Sequence, residues 1–325
     1  MRDKYQREIN YLRVSVTDRC NLRCVYCMPP EGVKFVPHKE ILSFEEIEVV
    51  IRAAAYIGVK KVRLTGGEPL VRRGVERLVG RISNIPGIDD IALTTNGLIL
   101  PKYAEVLKEA GLRRVNISLD TLDSDRYHEF TRYGKLSRVW EGIISALDAG
   151  FHPVKLNTVV IRGFNDDEVV DIARLTMEKP LHVRFIEIMP IGSSNSWVTG
   201  RFVPAEEIMS RIGAKLGQLI PAKIPEGSGP AKYYRLEGAQ GTVGFITSMS
   251  DHFCSNCNRL RLTSTGSLRP CLYDRCEIDL RTPLRDGAGI KEIAGLIRKA
   301  VSLKADRHHM LDGWQDKRVM SQIGG

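Results

Sequence analysis

Residues 11–27 read Tyr11-Leu-Arg-Val-Ser-Val16-Thr-Asp-Arg-Cys20-Asn-Leu-Arg-Cys24-Val-Tyr-Cys27, a β-rich run that passes directly into three cysteines at C-x3-C-x2-C spacing. The run reads as a strand, because β-branched and aromatic residues suit a pleated, half-buried surface. The cysteines then lie on the loop at its C-terminal end. The same order repeats outward from this point. Strand candidates at 61–64, 91–95, 114–119, 155–161 and 183–188 alternate with helix candidates at 45–57, 75–82, 102–110, 138–149, 167–176 and 205–212. Parallel strands need crossover helices, so six β/α units predict a parallel sheet. No G-x-G-x-x-G follows the first strand, which favours a barrel over a doubly wound sheet. The expected fold is α/β, a partial (β/α)6 barrel of the TIM type over residues 1–215 with a smaller C-terminal domain over residues 216–325. Residues 221–230, rich in Pro and Gly, read as a linker or lid. Beyond them, short strands are expected at 232–236, 242–246 and 259–262, and a helix at 289–303.

With 43% hydrophobic and 27% charged residues, the 325-residue chain can bury a sizeable core, which excludes a disordered chain or a disulfide-dense mini-fold. The most apolar stretch, 47–59, is interrupted by Glu48 and Arg52 and falls short of the roughly 18 apolar residues of a membrane span. Neither a membrane helix nor a secretory signal is expected. A cytoplasmic location follows, where thiols stay reduced, so seven cysteines ask for a metal, a cluster or a catalytic role. Lys plus Arg exceed Asp plus Glu by 48 to 39, which suggests an anionic partner. These cations are spread along the chain, and no nucleic-acid partner is expected.

Three thiolates close together hold a 4Fe-4S cluster through three irons and leave the fourth iron open to a ligand. A structural zinc site needs a closed set of four, and His38, the nearest further candidate, is eleven residues on from Cys27. After the second strand comes Gly66-Gly67-Glu68-Pro69, whose glycines let backbone approach a ligand closely. The cysteine loop with Tyr26 before its last member, followed one strand later by this turn, resembles the radical S-adenosylmethionine (SAM) superfamily. The resemblance implies that the open iron chelates SAM and that one-electron reduction yields a 5'-deoxyadenosyl radical.

A second set, Cys254-x2-Cys257-x13-Cys271, is followed by Cys276, so spacing alone leaves a zinc ribbon as open as a cluster. The run FCSNCNRLRLTSTGSLRPCL resembles the C-terminal region of the GTP 3',8-cyclase family, a resemblance that extends from Leu12 to Gly325. It implies a second three-cysteine 4Fe-4S cluster on Cys254, Cys257 and Cys271, beside the one on Cys20, Cys24 and Cys27. Cys276 departs from the family pattern. The implied reaction, in molybdenum cofactor biosynthesis, converts GTP to (8S)-3',8-cyclo-7,8-dihydroguanosine 5'-triphosphate after removal of the ribose C3' hydrogen.

Arg13, Arg63, Lys155 and Arg184 stand on four different strands where the chain buries them. Each could pair with a barrel carboxylate such as Glu68 or Glu187, but together they favour a polyphosphate. Arg259 and Arg261, two apart on an expected strand, share a face. In the family, Arg13, Arg63, Thr94, Lys155, Arg259, Leu260 and Arg261 match GTP-binding positions, and Tyr26, Gly67, Ser118 and Met189 match SAM contacts. His308 and His309 read as surface or packing residues. The terminal Gly324 and Gly325, preceded by Ile323, suit entry into a narrow cavity, and the resemblance implies a catalytic role for them. The partners it implies are a reduced flavodoxin or ferredoxin type of electron donor and a downstream cyclic pyranopterin monophosphate synthase, with a homodimer left open. Two rivals stand beside this reading: a peptide-modifying radical SAM enzyme with an auxiliary cluster, and a zinc-ribbon RNA-binding protein.

Overall fold

The sheet grows outward from β1 (Tyr11–Ser15), which has a parallel neighbour on each side. In the structure, a computed structural model describing residues 1–191, 200–223, 229–308 and 318–323, six strands pair in sequence order. They are β1, β2 (Lys61–Thr65), β3 (Asp90–Thr95), β4 (Arg114–Ser118), β5 (Val154–Val160) and β6 (Leu181–Glu187), all parallel. Between them run α1 (Phe44–Tyr56), α2 (Val75–Ser83), α3 (Ala104–Glu109), α4 (Ser124–Thr131), α5 (Leu136–Asp148) and α6 (Val169–Glu178), with α7 (Ala205–Leu216) after β6. The partial (β/α)6 barrel expected from the sequence is present.

The C-terminal segment joins this sheet directly. Its strands are β7 (Ile220–Pro221), β8 (Lys232–Arg235), β9 (Thr242–Ile246), β10 (Arg259–Leu262), β11 (Ser267–Arg269) and β12 (Ile278–Asp279). β9 adds in parallel to β6 and β10 in parallel to β1, while short antiparallel neighbours continue both edges. An open half-barrel leaves a row of unpaired N–H and C=O groups on its first and last strands, and β10 and β9 satisfy both rows. One apolar core therefore contains Leu12, Leu64, Leu93, Leu156 and Val183 together with Val243, Leu260 and Leu262.

The capping box at α1 sets where the first crossover begins. Ser43 Oγ accepts from the Glu46 N–H at 3.1 Å, and Glu46 returns a carboxylate to the Ser43 N–H at 2.6 Å. α1 buries Ile47, Val50, Ile51 and Ala54 at helical spacing. A last pair of helices, α8 (Arg281–Arg285) and α9 (Ile290–Ser302), follows β12, and α9 packs against α1 with Ile293, Ile297 and Ala300 buried. α4 was not expected from the sequence, since its only buried apolar side chains are Tyr127 and Phe130. What starts it is Asp123, whose Oδ1 accepts from the N–H groups of Asp125 and Arg126 at 3.0 and 2.8 Å.

Strand alternation fixes the barrel interior. On β1, Leu12 and Val14 belong to the core outside the barrel, while Arg13 lines its cavity. Parallel register places Arg13 directly opposite Arg261 on one side and Arg63 on the other. Truncating Ile297 to Ala should leave a void between α9 and α1 and cost about 2–5 kcal/mol. The expected result in urea unfolding is a lower midpoint with one cooperative transition, because both parts of the chain share a core.

Candidate active site

The first cysteine loop is held by the Gly-Gly-Glu-Pro turn. The Gly67 N–H donates to the Thr17 carbonyl at 2.7 Å and the Glu68 N–H to the Arg19 carbonyl at 2.8 Å. A Cβ at Gly67 would lie 2.3 Å from the Arg19 carbonyl oxygen, so this approach needs glycine. Glu68 accepts from the Leu70 N–H, the Thr95 hydroxyl and the Asn96 N–H at 3.0, 2.8 and 2.7 Å, and burial lifts its carboxyl to about 7. From the other side α4 straps the loop: Arg132, in the left-handed region at φ 65°, donates to the carbonyls of Arg23 and Met28 at 2.6 and 2.9 Å. The Tyr26 ring stands 5.1 Å from Phe130, and its hydroxyl donates to Asp120 at 3.2 Å.

Burial pushes the three thiols up, Cys20 to about 11 and Cys27 to about 12, and Cys20 disfavours the thiolates of Cys24 and Cys27. Three crowded thiolates need a cationic centre, which matches the chemistry of an iron cluster. Among the described residues no three His, Cys, Asp or Glu side chains converge at the spacing of a single ion, whereas a cubane takes its thiolates on three different irons.

Cys254, Cys257 and Cys271 come from the turn before β10 and the loop after β11. Burial alone would raise Cys257, but Arg259 and Lys304 draw it down to about 6. All six of these cysteines line one cavity of about 340 Å³. The cavity is also lined by Tyr26, Gly67, Ser118, Met189, Arg13, Arg63, Thr94, Arg259 and Arg261, so most of the expected site residues meet in one place. Cys276 does not line it; its N–H turns to Asp274 Oδ1 at 2.9 Å.

Two expected residues stand elsewhere. Leu260 alternates with Arg259 and Arg261, so its side chain points away from them into the apolar core and cannot be a side-chain contact of a ligand. Lys155 is buried within the barrel, in register with Asn116 and His182, with its ammonium 5.5 Å from the Tyr233 ring. Gly324, Gly325 and His309 lie outside the described residues. Ile323 is buried with Ile191 and Tyr273, and Met320 and Ser321 line the cavity.

Among the described residues neither Glu68 nor Glu187 pairs with Arg13, Arg63 or Arg184; Glu187 instead accepts from the N–H groups of Ala205, Met249 and Ser250 at 3.0, 2.8 and 2.9 Å. Among the described residues, the Nε atoms of Arg13, Arg63 and Arg184, together with Thr94 Oγ1 and Asn157 Oδ1, are buried without hydrogen-bond partners. Burial, followed by the charge of Arg261, pulls Arg13 well below its ordinary value. Burial and like charges bring Arg63 to about 10, Arg261 to about 9 and Lys155 to about 6. A polyanion would accept from the guanidinium and hydroxyl donors together, while Asn157 Oδ1 calls for a donor.

Asp120 and Asn157 line the cavity without having been singled out from the sequence. Asp120 follows the C-terminal end of β4, the catalytic face of such a barrel, and that position was the available signal. Burial lifts its carboxyl to about 7 while it accepts from the Val159 N–H at 2.8 Å.

A half-barrel with this cysteine loop after β1 and this glycine turn after β2 has the architecture of the radical SAM superfamily, whose family model matches residues 14–176. Residues 181–310 match the family model described as Molybdenum Cofactor Synthesis C. The chain is 72% identical to a GTP 3',8-cyclase of Pelotomaculum thermopropionicum and 58% identical to one of Desulforamulus reducens, in both cases over the whole of each chain. It belongs to the GTP 3',8-cyclase family. Among solved structures, Streptococcus suis SuiB bound to precursor peptide SuiA is similar at a TM-score of 0.66 and 14% identity, covering 98% of this chain and 76% of that one. Native anSMEcpe with bound AdoMet gives 0.59 and 14%, covering 92% and 82%. These two likenesses concern the fold alone.

Replacing Cys276 by Ala should leave the iron content of the reconstituted protein unchanged. Loss of roughly half the iron would show a closed four-cysteine site instead.

Proposed function

We propose that this chain is a lyase that converts GTP to (8S)-3',8-cyclo-7,8-dihydroguanosine 5'-triphosphate, using two 4Fe-4S clusters and SAM. The observation that carries the reading is the row Arg261, Arg13 and Arg63, set side by side on neighbouring strands and facing a cavity lined by both sets of three cysteines. In this reading residues 1–215 hold the first cluster on Cys20, Cys24 and Cys27, with SAM against Tyr26, Gly67, Ser118 and Met189. Residues 216–325 hold the second on Cys254, Cys257 and Cys271. SAM at the first cluster supplies, on one-electron reduction, the radical that removes the ribose C3' hydrogen of GTP.

The chain's own part is to bind, orient and exclude water. Arg13, Arg63, Arg259 and Arg261 clamp the triphosphate by charge-assisted bonds, Thr94 offers its unsatisfied hydroxyl, and Lys155 adds charge from deeper in the barrel. Gly324 and Gly325, which follow the buried Ile323 in sequence, are catalytic in this reading. A reduced flavodoxin or ferredoxin type of donor supplies the electron, and a cyclic pyranopterin monophosphate synthase takes the product. Among the described residues no helix is long and apolar enough to cross a membrane.

The test is anaerobic reconstitution with iron and sulfide, then SAM, GTP and dithionite. About eight irons per chain, 5'-deoxyadenosine and the cyclic nucleotide are expected, and iron-loaded protein that leaves GTP intact would overturn the reading. A chain ending at Ile323 should keep its iron but stop making the cyclic nucleotide; product at the full-length rate would show that the two glycines take no part. A further outcome concerns protons. Lys155, at about 6 in the free protein, is mostly neutral at pH 8, and a triphosphate beside it restores the cation. GTP binding at pH 8 should therefore take up a proton and weaken as pH rises. Calorimetry in two buffers of different ionisation enthalpy reads the uptake, and Lys155→Met should remove it.

A further inference from the structure

The second cysteine set is gripped from behind by two cations that the cavity does not contain. Lys304, just beyond the end of α9, is buried, and its ammonium donates to the Arg259 carbonyl at 3.0 Å and to the Pro270 carbonyl at 2.6 Å. Arg259 comes two residues after Cys257, and Pro270 immediately precedes Cys271. One ammonium thus spans the two chain segments that deliver two of the three thiols. Arg7 reaches the third: its guanidinium donates to the Cys254 carbonyl at 2.9 Å and to the carbonyls of Ala305 and Asp306 at 2.6 and 2.9 Å, adjoining Lys304.

The two cations differ in how they are neutralised. Arg7 carries its own carboxylate, Asp3, at 2.6 Å. Among the described residues Lys304 pairs with no carboxylate and holds only carbonyl oxygens. A buried ammonium without a counter-charge is costly to keep in a fold. Its charge reaches the thiols of Cys254 and Cys257. The anionic group that would balance it is therefore a cluster on Cys254, Cys257 and Cys271.

We propose that Lys304 is a positioning residue and the buried counter-charge of the second cluster. It fixes the separation of Cys257 and Cys271 through their neighbouring carbonyls and holds the cluster at a higher reduction potential than the thiolates alone would give. This rests on the reading that those three cysteines carry a cluster. The sign follows from charge: reduction adds an electron to an already anionic group, and a nearby cation favours the more negative state. Taking the cation away lowers the potential.

The experiment uses full-length reconstituted protein and follows both clusters by EPR during a redox titration, with the first cluster as internal reference. Lys304→Gln keeps a hydrogen-bond donor and removes the charge, and Lys304→Arg keeps both. The Gln variant should show the second cluster about tenfold less reduced at a fixed potential, a shift of about 59 mV for one electron. The first cluster should not move, and the Arg variant should titrate as the parent protein does. If the Gln variant binds only the first cluster while the Arg variant binds both, the charge is needed for assembly and the proposal stands. An unshifted second cluster in the Gln variant overturns it, as does an equal shift of both clusters or loss of the second cluster in both variants. Parent protein that holds only one cluster would overturn the two-cluster reading itself, an outcome distinct from all of these.

Discussion

Parallel register on neighbouring strands sets Arg261, Arg13 and Arg63 in one row across the barrel interior. A strand pair shifted by one residue would send one of these guanidiniums into the apolar core and bring Leu12, Val62 or Leu260 into the cavity, since side chains alternate with a period of two. The buried Leu12, Val14, Val62, Leu64, Leu260 and Leu262 on the opposite face hold the register against such a slip. The core outside the barrel thus forces like charges together inside it. Like charges so placed raise the energy of the empty cavity and make a polyanion its natural occupant. The cationic cavity and the hydrophobic core follow from one alternation of side chains.

The same continuity explains why the cations and cysteines that line the cavity come from both ends of the chain. β10 lies beside β1, so the strand carrying Arg259 and Arg261 is placed by the strand carrying Arg13. At the far edge β9 lies beside β6, where Glu187 gathers the backbone of Met249 and Ser250 shortly before Cys254. The second cysteine set is positioned by two strands that belong to the same sheet as the first.

Much of this was legible in the sequence. The six β/α units, both cysteine sets and the cations on strands are local patterns, and period-two alternation already placed Arg259 and Arg261 on one face. The same alternation turns Leu260 the other way, so its match to a family binding position does not make its side chain a contact. What the sequence withheld is non-local. Nothing in the composition of β9 or β10 shows that they complete the two edges of the barrel. α4 was hidden because its start depends on Asp123 and its burial on only two apolar side chains. The roles of Arg7 and Lys304 lie in carbonyls reached through folding, and no motif records a carbonyl.

The contacts of Arg7 also set an order on the making of the protein. The strap that Arg132 lays on the first cysteine loop joins groups 109 and 104 residues apart in the chain, through the carbonyls of Arg23 and Met28. The carbonyls that Arg7 holds lie 247 to 299 residues further along the chain. During synthesis the N-terminal segment must therefore wait for almost the whole polypeptide before its clamp can close. The backbone of Cys254 is thus tied to the N-terminal segment only in the finished molecule.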